Sequence, residues 1–378
     1  MKLTCSQENL SKGVQTVARA VAQRSPLPIT SNILIETDGG RLKLSATNLE
    51  IAITTWIDAT VSVEGKITLP ARLLTEFVNA LPNETVTLEV SKGHTCHVHA
   101  GRYEADIRGM DAQEFPQIPS GDETPTAHID APLLKQMIDQ VAFAAAADDT
   151  RPVLTGVQCL FSDGELTMAA ADSFRMAICT GALDVTADAA FSVIIPARTL
   201  IELRKILPDG EERVALTVTP NRSQIVFQAT DLHVVSRLIE GAFPNVRQLV
   251  PTKFQTTATV STADFLKATR VASFFSRDNS NMITVDVVPG SGSNGSNGGI
   301  TITGSAAEVG ENHGELDAHV EGDEIHIAFN SRYVVDALGA MQSQQVGFDL
   351  TGPGSAAVLR PADSDRYTYV VMPIYTAG

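Results

Sequence analysis

The chain has 378 residues, of which 43% are hydrophobic and 19% are charged, a balance typical of a globular protein with buried cores. No apolar run reaches the roughly 18 residues that a membrane span needs. The start, MKLTCSQENL, has no apolar stretch after its lysine, so we expect no secretory signal. The net charge of −16 argues at first against a nucleic-acid partner.

The four cysteines are scattered along the chain and lack paired spacing: Cys5, Cys96, Cys159 and Cys179. Free thiols in a reducing cytoplasm are the simplest interpretation of this pattern. We therefore expect a cytoplasmic protein without disulfides.

One segment recurs three times along the chain. It reads GKITLPARLLTEFVNALP at 65–82, FSVIIPARTLIELRKILP at 191–208 and IHIAFNSRYVVDALGAM at 325–341. Each copy predicts a short apolar strand followed by an amphipathic helix. The arginines at the start of the helices are Arg72, Arg198 and Arg332. Internal repetition on this scale predicts three similar domains.

Three further elements recur in the same order. They are a helical stretch (7–25, 131–151, 262–278), a strand-rich phrase beginning at Leu42, Leu166 and Ile300, and an element ending at Phe115-Pro116, Phe243-Pro244 and Met372-Pro373. Runs of strands interrupted by two helices favour an α+β fold with antiparallel sheets. Prolines near residues 125 and 251 place the expected domains at 1–125, 126–250 and 251–378.

The charge is distributed unevenly between helices and the rest of the chain. The six repeated helix windows (7–25, 71–81, 131–151, 197–207, 262–278, 331–341) hold 13 Lys or Arg and 9 Asp or Glu, whereas the remainder holds 15 and 35. The net charges are therefore 13 − 9 = +4 and 15 − 35 = −20. One interpretation is a set of ordinary solvated helix faces, as most charge runs are. Repetition in three domains favours a functional basic surface instead.

Spacing places several of these basic residues on common helix faces. Lys12 and Arg19 are seven residues apart, and Arg198 and Lys205 repeat that spacing. Lys267 and Arg270 also fall on one side of their helix, together with Arg277.

A glycine-rich run, Gly290 to Gly299, matches G-x-G-x-x-G in form. It leads into another predicted strand and not into a helix, so no helix N-terminus is available for a pyrophosphate. A hairpin loop is the favoured interpretation, and a nucleotide-binding enzyme that uses this loop is the alternative.

His94, Cys96, His97 and His99 resemble a metal cluster. In a strand, however, His97 and His99 share one face while Cys96 and His94 point to the other, so the four side chains do not converge. No nucleophile, base and orienting residue can be assembled from the sequence. We expect no metal, no cofactor and no catalytic residues.

The chain resembles the family of the bacterial DNA polymerase III beta subunit, the sliding clamp. The resemblance rests on Leu27-Pro28-Ile29 with Asn32-Ile33-Leu34, the SATNLEIAI phrase, the Pro-Ala-Arg helices and the C-terminal Tyr369 to Pro373. It implies three similar clamp domains, each with two helices and antiparallel sheets. It also implies a head-to-tail dimer that closes into a six-domain ring around duplex DNA.

The resemblance implies a sequence-independent DNA site and a non-catalytic role in processive replication. Arg24 and Arg72 match DNA-facing positions of the family, whereas Lys12, Arg198, Lys205, Lys267 and Arg270 are inferred from helix faces. Arg151 and Arg277 are weaker candidates.

The resemblance also implies a groove for short apolar-anchored peptides of polymerase subunits, the clamp loader and repair proteins. The matching positions are Leu154, Ala171, Ser173, Phe174, Arg175, Met176, Pro244, Val371, Met372 and Pro373. The chain departs from the family at Phe174 and Met176, where His and Leu are usual, and at Gln248, where Arg is common. For the dimer interface, the matching residues are Ala105, Ile107, Phe274 and Phe275, with one of the two adjacent rings expected to face the neighbouring chain.

Overall fold

A computed structural model describes residues 1–22, 26–91, 93–119, 121, 123–185, 190–290, 298–308 and 310–375. Within these residues the chain forms two α-helices in each third of its length. They are α1 Gln7–Ala18, α2 Ala71–Ala80, α3 Ala131–Val141, α4 Ala197–Ile206, α5 Thr262–Phe274 and α6 Ser331–Gly339.

The strands outnumber the helices, and all their pairings are antiparallel. In the first third they are β1 Lys2–Ser6, β2 Asn32–Asp38, β3 Arg41–Thr47, β4 Ile51–Ile57, β5 Thr60–Val63, β6 Lys66–Pro70, β7 Thr85–Ser91, β8 Thr95–Ala100 and β9 Tyr103–Arg108. In the second they are β10 Ala127–Asp130, β11 Gly156–Ser162, β12 Glu165–Ala171, β13 Arg175–Ala182, β14 Asp184–Val185, β15 Phe191–Pro196, β16 Arg213–Val218, β17 Gln224–Ala229 and β18 Leu232–Arg237. In the third they are β19 Thr256–Ser261, β20 Met282–Val288, β21 Gly299–Ala306, β22 Gly310–Gly322, β23 Ile325–Asn330, β24 Gln345–Leu350, β25 Ala357–Pro361 and β26 Tyr367–Val371. The α+β class with antiparallel sheets is confirmed.

The first helix of each third is shorter than the sequence predicted. The windows 7–25, 131–151 and 262–278 were expected to be helical, but the helices end at Ala18, Val141 and Phe274. At Val141 the backbone leaves the helical region, and a 3-10 turn over Ala142–Ala144 follows. Ala20 and Ala22 after α1 and Ala142 and Ala144 after α3 are buried, so the apolar pattern runs past the ends of these two helices.

The chain divides into two compact units, each with its own sheets. Unit 1 consists of Met1–Leu134 and Thr199–Leu238 together with β14, and unit 2 consists of Lys135–Leu183 and the residues from Ile239 onwards together with β15. The middle third of the chain therefore contributes strands to both units.

Unit 1 contains a five-stranded sheet, ordered β5-β1-β7-β8-β9, and a nine-stranded sheet, ordered β14-β10-β16-β17-β18-β4-β3-β2-β6. Helix α1 packs on β3 and β4 through Leu10, Val14 and Val17, which are fully buried. Gly13 permits this close approach, because a Cβ atom there would lie 2.8 Å from Leu44 Cδ1. The core of unit 1 thus lies between its helices and its sheets.

Unit 2 is built on one twelve-stranded sheet, ordered β15-β11-β12-β13-β26-β25-β24-β19-β22-β21-β20-β23. Phe348 is central to its core, with ring centroids 5.4 Å from Phe265 and 6.1 Å from Phe329. These edge-to-face contacts fix α5 and the strands beneath it.

Main-chain pairing joins the thirds of the chain within each unit. In unit 1, β18 pairs with β4, so that Val235 lies opposite Ala52. In unit 2, β26 pairs with β13, so that Val370 lies opposite Met176. Each sheet therefore continues from one repeat into the next.

Candidate nucleic-acid interface and partner groove

The repeated segment folds as predicted into a strand followed directly by a helix. Strands β6, β15 and β23 lead into α2, α4 and α6. Apolar side chains such as Leu74 and Val78 of α2 are buried, whereas the arginine at the second helix position is exposed in all three copies. The three exposed residues are Arg72, Arg198 and Arg332.

Carboxylates neutralise some of the basic residues on the helices. Lys12 Nζ lies 2.7 Å from Glu8 Oε1, and Arg72 Nε lies 2.9 Å from Glu76 Oε1. Arg198, Lys267 and Arg270 are exposed, and no ion pair involves them in the described part of the chain. Arg24 lies outside the described residues.

Glu202 binds two basic residues from two helices. Arg19 Nη1, just after α1, lies 3.0 Å from Glu202 Oε2, and Lys205 Nζ lies 2.8 Å from Oε1. Partial burial by itself raises the pKa of Glu202, but the hydrogen bonds and charges of Lys205 and Arg19 outweigh it and the pKa is lowered. Lys205 is therefore only partly available to another anion.

The predicted groove residues separate into a buried floor and an exposed rim, all in unit 2. The floor is an apolar cluster of Ala169, Ala171, Met176, Ile178, Val246, Val358 and Val370, with Phe243, Val250, Phe254 and Ala356 packed against it. Leu154, Val371 and Pro373 are also buried, so their side chains are not accessible at the surface.

The rim consists of residues that are exposed although several are apolar. Phe174 is 57% exposed and Met372 is 39% exposed, and Ser173 and Pro244 are exposed as well. Met372 N–H donates to Phe174 O over 2.8 Å, which joins the end of β26 to the loop before β13. Exposed apolar side chains beside an apolar floor form a surface suited to a peptide with apolar anchors.

Leu249 is a further exposed apolar residue that the sequence reasoning missed. It is 62% exposed and lies in a 3-10 turn over Val246–Leu249, whose first residue belongs to the groove floor. The neighbouring Gln248 was noted only because it replaces a common Arg.

Arg175 is held in place by several groups at once. Its guanidinium donates to Asp172 Oδ2 at 3.1 Å, to Asp336 Oδ2 at 2.6 Å and to Phe143 O at 2.7 Å. Its side chain is only 11% exposed and stacks over the Tyr333 ring, with its Cζ atom 4.3 Å from the centroid. Arg175 thus joins the groove loop to helix α6 and is not a free cation.

Arg151 also belongs to the groove side of unit 2. Its guanidinium donates to the Ser173 hydroxyl in the loop before β13. This contact favours a place beside the rim over the weak expectation that Arg151 faces DNA.

The residues expected at a dimer interface differ in accessibility. Phe274 is 56% exposed and Phe275 is half-buried, so Phe274 is the ring that can reach another chain. In contrast, the Ile107 side chain is only 3% exposed. Its strand, β9, which also carries Ala105, is an edge strand of the five-stranded sheet. Any contact at β9 must therefore use the strand's backbone and outer side chains.

The glycine-rich run and the histidine-rich segment both lie in or between antiparallel strands. Val288 of β20 pairs with Gly299 of β21, so the glycine-rich run joins two antiparallel strands, although residues 291–297 lie outside the described residues. This geometry does not favour the alternative of a nucleotide-binding enzyme. His97 pairs with Asp106 at 2.9 Å, while Cys96 is buried on the opposite face of β8.

The described residues also bear on metal binding and on membrane insertion. No group of three or more His, Cys, Asp and Glu residues there is arranged to hold a metal ion. Of the helices described, none has the length and apolar content that crossing a bilayer requires.

Comparison with protein families matches three family models in order along the chain. They are the N-terminal domain of the DNA polymerase III beta subunit at residues 1–119, its central domain at 128–245 and its C-terminal domain at 247–375.

Relatives and solved structures match over the whole length. The chain is 31% identical to the beta sliding clamp of Bacillus subtilis, with 100% of both chains covered, and 32% identical to that of Synechococcus elongatus, with 99% of both covered. The crystal structure of the Bacillus subtilis sliding clamp superposes with a TM-score of 0.93 at 30% identity, covering 100% of this chain and 99% of that one. That of the Pseudomonas aeruginosa beta subunit gives 0.89 at 27% identity, with 100% of each covered. The chain therefore belongs to the DNA polymerase III beta subunit family, the bacterial sliding clamps.

Proposed function

We propose that this chain is a non-catalytic sliding clamp, which encircles duplex DNA and tethers the replicative polymerase for processive synthesis. The observation that carries the proposal is the exposed arginine repeated at the start of α2, α4 and α6 in a chain of net charge −16. Duplex DNA carries about one negative charge per 1.7 Å, so it is attracted to a local basic surface. An acidic remainder repels DNA and favours that surface over all others.

The state of the basic side chains fits a contact that can slide. Lys12 and Lys205 each lie within 3 Å of a carboxylate oxygen, which weakens their attraction for phosphate. Loose phosphate contacts carry no sequence information and exchange readily. We therefore assign Lys12, Arg24, Arg72, Arg198, Lys205, Lys267 and Arg270 to the DNA-facing surface, and no cofactor is needed.

Two surfaces support a head-to-tail homodimer. Within the described residues, strand β9 has a free edge, and residues 310–317 of β22 pair with β21 on one side only, because β19 pairs with residues 318–322. Beside β22, helix α5 exposes Phe274 and also Val271, which is 37% exposed. Antiparallel pairing of β9 from one chain with β22 from another would satisfy both edges and cover these apolar residues. A closed dimer would contain two equivalent junctions of this kind.

The groove in unit 2 supports binding of short partner peptides. Its exposed Phe174 and Met372, beside the buried Met176 and Ile178, present an apolar surface to Leu or Phe anchors. We assign it to the catalytic subunit of DNA polymerase III, the clamp loader and other proteins that carry clamp-binding peptides.

We keep the domain boundaries near residues 125 and 250 and a cytoplasmic location as parts of this proposal.

Threading onto DNA tests the central claim without a loader. The protein is incubated with linear duplex, the ends are then ligated, and the circle is washed in high salt. A ring remains on the circle because it is linked topologically, and a restriction cut releases it. An ordinary phosphate binder dissociates in both cases as salt rises.

Circles that are ligated before the protein is added are the matched control, since a closed ring cannot thread onto them. Equal retention on both kinds of circle after the high-salt wash would contradict encirclement.

A further inference from the structure

The second helix of each repeat carries an acid four residues after its exposed arginine. The acids are Glu76 in α2, Glu202 in α4 and Asp336 in α6. They occupy one position of a common scaffold, yet their partners in the structure differ. The differences follow the order of the repeats along the chain.

An arginine of the preceding repeat binds this acid at both junctions inside the chain. Arg19 of the first repeat binds Glu202 of the second at 3.0 Å, and Arg175 of the second binds Asp336 of the third at 2.6 Å. Glu76 belongs to the first of the three repeats, and among the described residues it is bound by Arg72 of its own helix. Its side chain is 64% exposed, against 21% for Glu202 and 41% for Asp336.

Whether each repeated arginine forms an ion pair depends on what else binds the acid four residues after it. Because Glu202 and Asp336 are bound from the preceding repeat, Arg198 and Arg332 have no ion pair within the described residues. Arg72 instead binds Glu76 within its own helix, although the Arg72 side chain is 92% exposed. An i,i+4 pair this exposed is weak and can be replaced by a better partner.

One equivalent position of the repeats takes part at both junctions within the chain, although the arginines themselves come from different positions. Arg19, Phe143 and Phe274 each lie 12 residues after the first residue of α1, α3 and α5 (19 − 7, 143 − 131 and 274 − 262). Arg19 reaches the acid itself. Phe143 instead holds Arg175, whose Cζ lies 5.4 Å from its ring centroid.

In the third repeat an arginine also lies over the aromatic ring at this position, but no acid binds that arginine within the described residues. Arg277 Cζ lies 5.2 Å from the Phe274 ring centroid, and both side chains are exposed. No carboxylate pairs with Arg277 within the described residues. The third repeat therefore presents a donor, and the first repeat presents an acceptor that is bound only within its own helix.

We propose that Arg277 binds Glu76 of the partner subunit in the assembled dimer and thereby releases Arg72 toward DNA. This inference rests on the proposed head-to-tail dimer, in which the third repeat of one chain precedes the first repeat of the other. The junction between chains then repeats the ion pair found at both junctions within a chain. Release of Arg72 would make it equivalent to Arg198 and Arg332.

Charge reversal tests the pair. The dimer dissociation constant is measured by analytical ultracentrifugation for the wild type, Glu76→Arg, Arg277→Glu and the double variant. Each single reversal places like charges at two junctions per dimer and should weaken dimerisation by about tenfold to a hundredfold. The double variant should recover most of that loss. Glu8→Arg, which breaks the comparable exposed pair with Lys12 on α1, should leave the dimer unchanged.

The outcomes separate the pair from the proposed function. If the wild type is dimeric and the double variant is as weak as either single variant, the Arg277–Glu76 pair is wrong while the clamp stands. If the wild type is monomeric at every concentration, both proposals fail.

Release of Arg72 is tested by duplex binding at concentrations where every variant is dimeric. Arg277→Ala should lower DNA affinity, and Arg72→Ala in that background should lower it no further. Additive losses, or no loss in either single variant, would overturn the release.

Discussion

In both units a strand of one repeat pairs with a strand of the next repeat, and the sheet faces at these two junctions carry different side chains. Strands β3 and β4 in unit 1 have the same pairing register as β12 and β13 in unit 2, since Thr47 pairs with Ala52 and Ala171 pairs with Met176. The neighbouring strands also correspond, with Val235 matching Val370. The strand pairing is thus the same at both places, whereas the side chains on the sheet face differ.

The loops before β4 in unit 1 and before β13 in unit 2 also have the same hydrogen bonds. Asn48 Oδ1 accepts hydrogen bonds from the backbone N–H groups of Glu50 and Ile51, and Asp172 Oδ1 accepts them from Phe174 and Arg175. The turn is therefore fixed by the side chain at its first position. The residues that it presents are Glu50 and Ile51 in one unit but Phe174 and Arg175 in the other.

The floor beneath the loop explains why one junction is suited to peptides and the other is not. In unit 1 the apolar cluster has only Ala52, Val226 and Val235, with Ile118 against it, and Ser45 and Thr54 hydrogen-bond to each other nearby at 2.9 Å. A cavity of about 470 Å³ on this face is lined by charged residues as well as by Trp56 and Phe115. We infer that apolar anchors gain less by entering unit 1 than by entering the floor of unit 2.

The largest expected effect on this comparison is that of Arg175→Ala. The substitution leaves Asp172 and Asp336 without their cation and Phe143 O without its donor, so we expect unit 2 to lose about 2–4 kcal/mol of stability. Urea denaturation measures this loss. Arg19→Ala, which breaks the more exposed counterpart in unit 1, should cost about 1 kcal/mol or less. Equal losses would show that the two junctions are not different in kind.

The next expected effect is on peptide binding. Phe174→Glu gives the rim of unit 2 the residue found at Glu50, and it should weaken a fluorescent peptide with Leu and Phe anchors by about tenfold or more. Folding should be unaffected because Phe174 is 57% exposed. The peptide's dissociation constant is measured by fluorescence anisotropy.

The reverse exchange, Glu50→Phe, is the matched control for the rim. It should create no second peptide site, because the floor of unit 1 remains small and polar. A second site of similar affinity would show that the rim alone determines binding.

The smallest expected effect is the pH dependence of the Glu202 contact. Because the folded pKa of Glu202 is lowered, its stabilising effect is fully present above the unfolded pKa of about 4.3 and is lost as pH falls through the folded value. The free energy of unfolding of the wild type should exceed that of Glu202→Gln by about 0.5–1 kcal/mol at pH 7. Near pH 3 the two values should be almost equal. Urea denaturation at both pH values measures the difference, and a gap that widens in acid would reverse the assigned sign.

Much of the fold followed from local patterns in the sequence. The repeated strand-to-helix segments, the exposed arginines and the alternating faces around His97 needed only apolar periodicity and internal repetition. The ends of the first helices did not follow, because apolar burial continues beyond α1 and α3, in the latter case into a 3-10 turn. The contact between Arg175 and Asp336 joins residues 161 positions apart, and no local pattern indicates such a pairing. Resemblance brought Arg175 into the groove, but only the structure shows that it is already bound.

Sheets that continue from repeat to repeat also have a mechanical consequence. Five residue pairs join β4 to β18, and five join β13 to β26, so bending either junction apart would break several main-chain hydrogen bonds together. A force applied to the proposed dimer should therefore yield first where no covalent backbone crosses, at the seam between subunits. Opening for DNA would then take place at that seam.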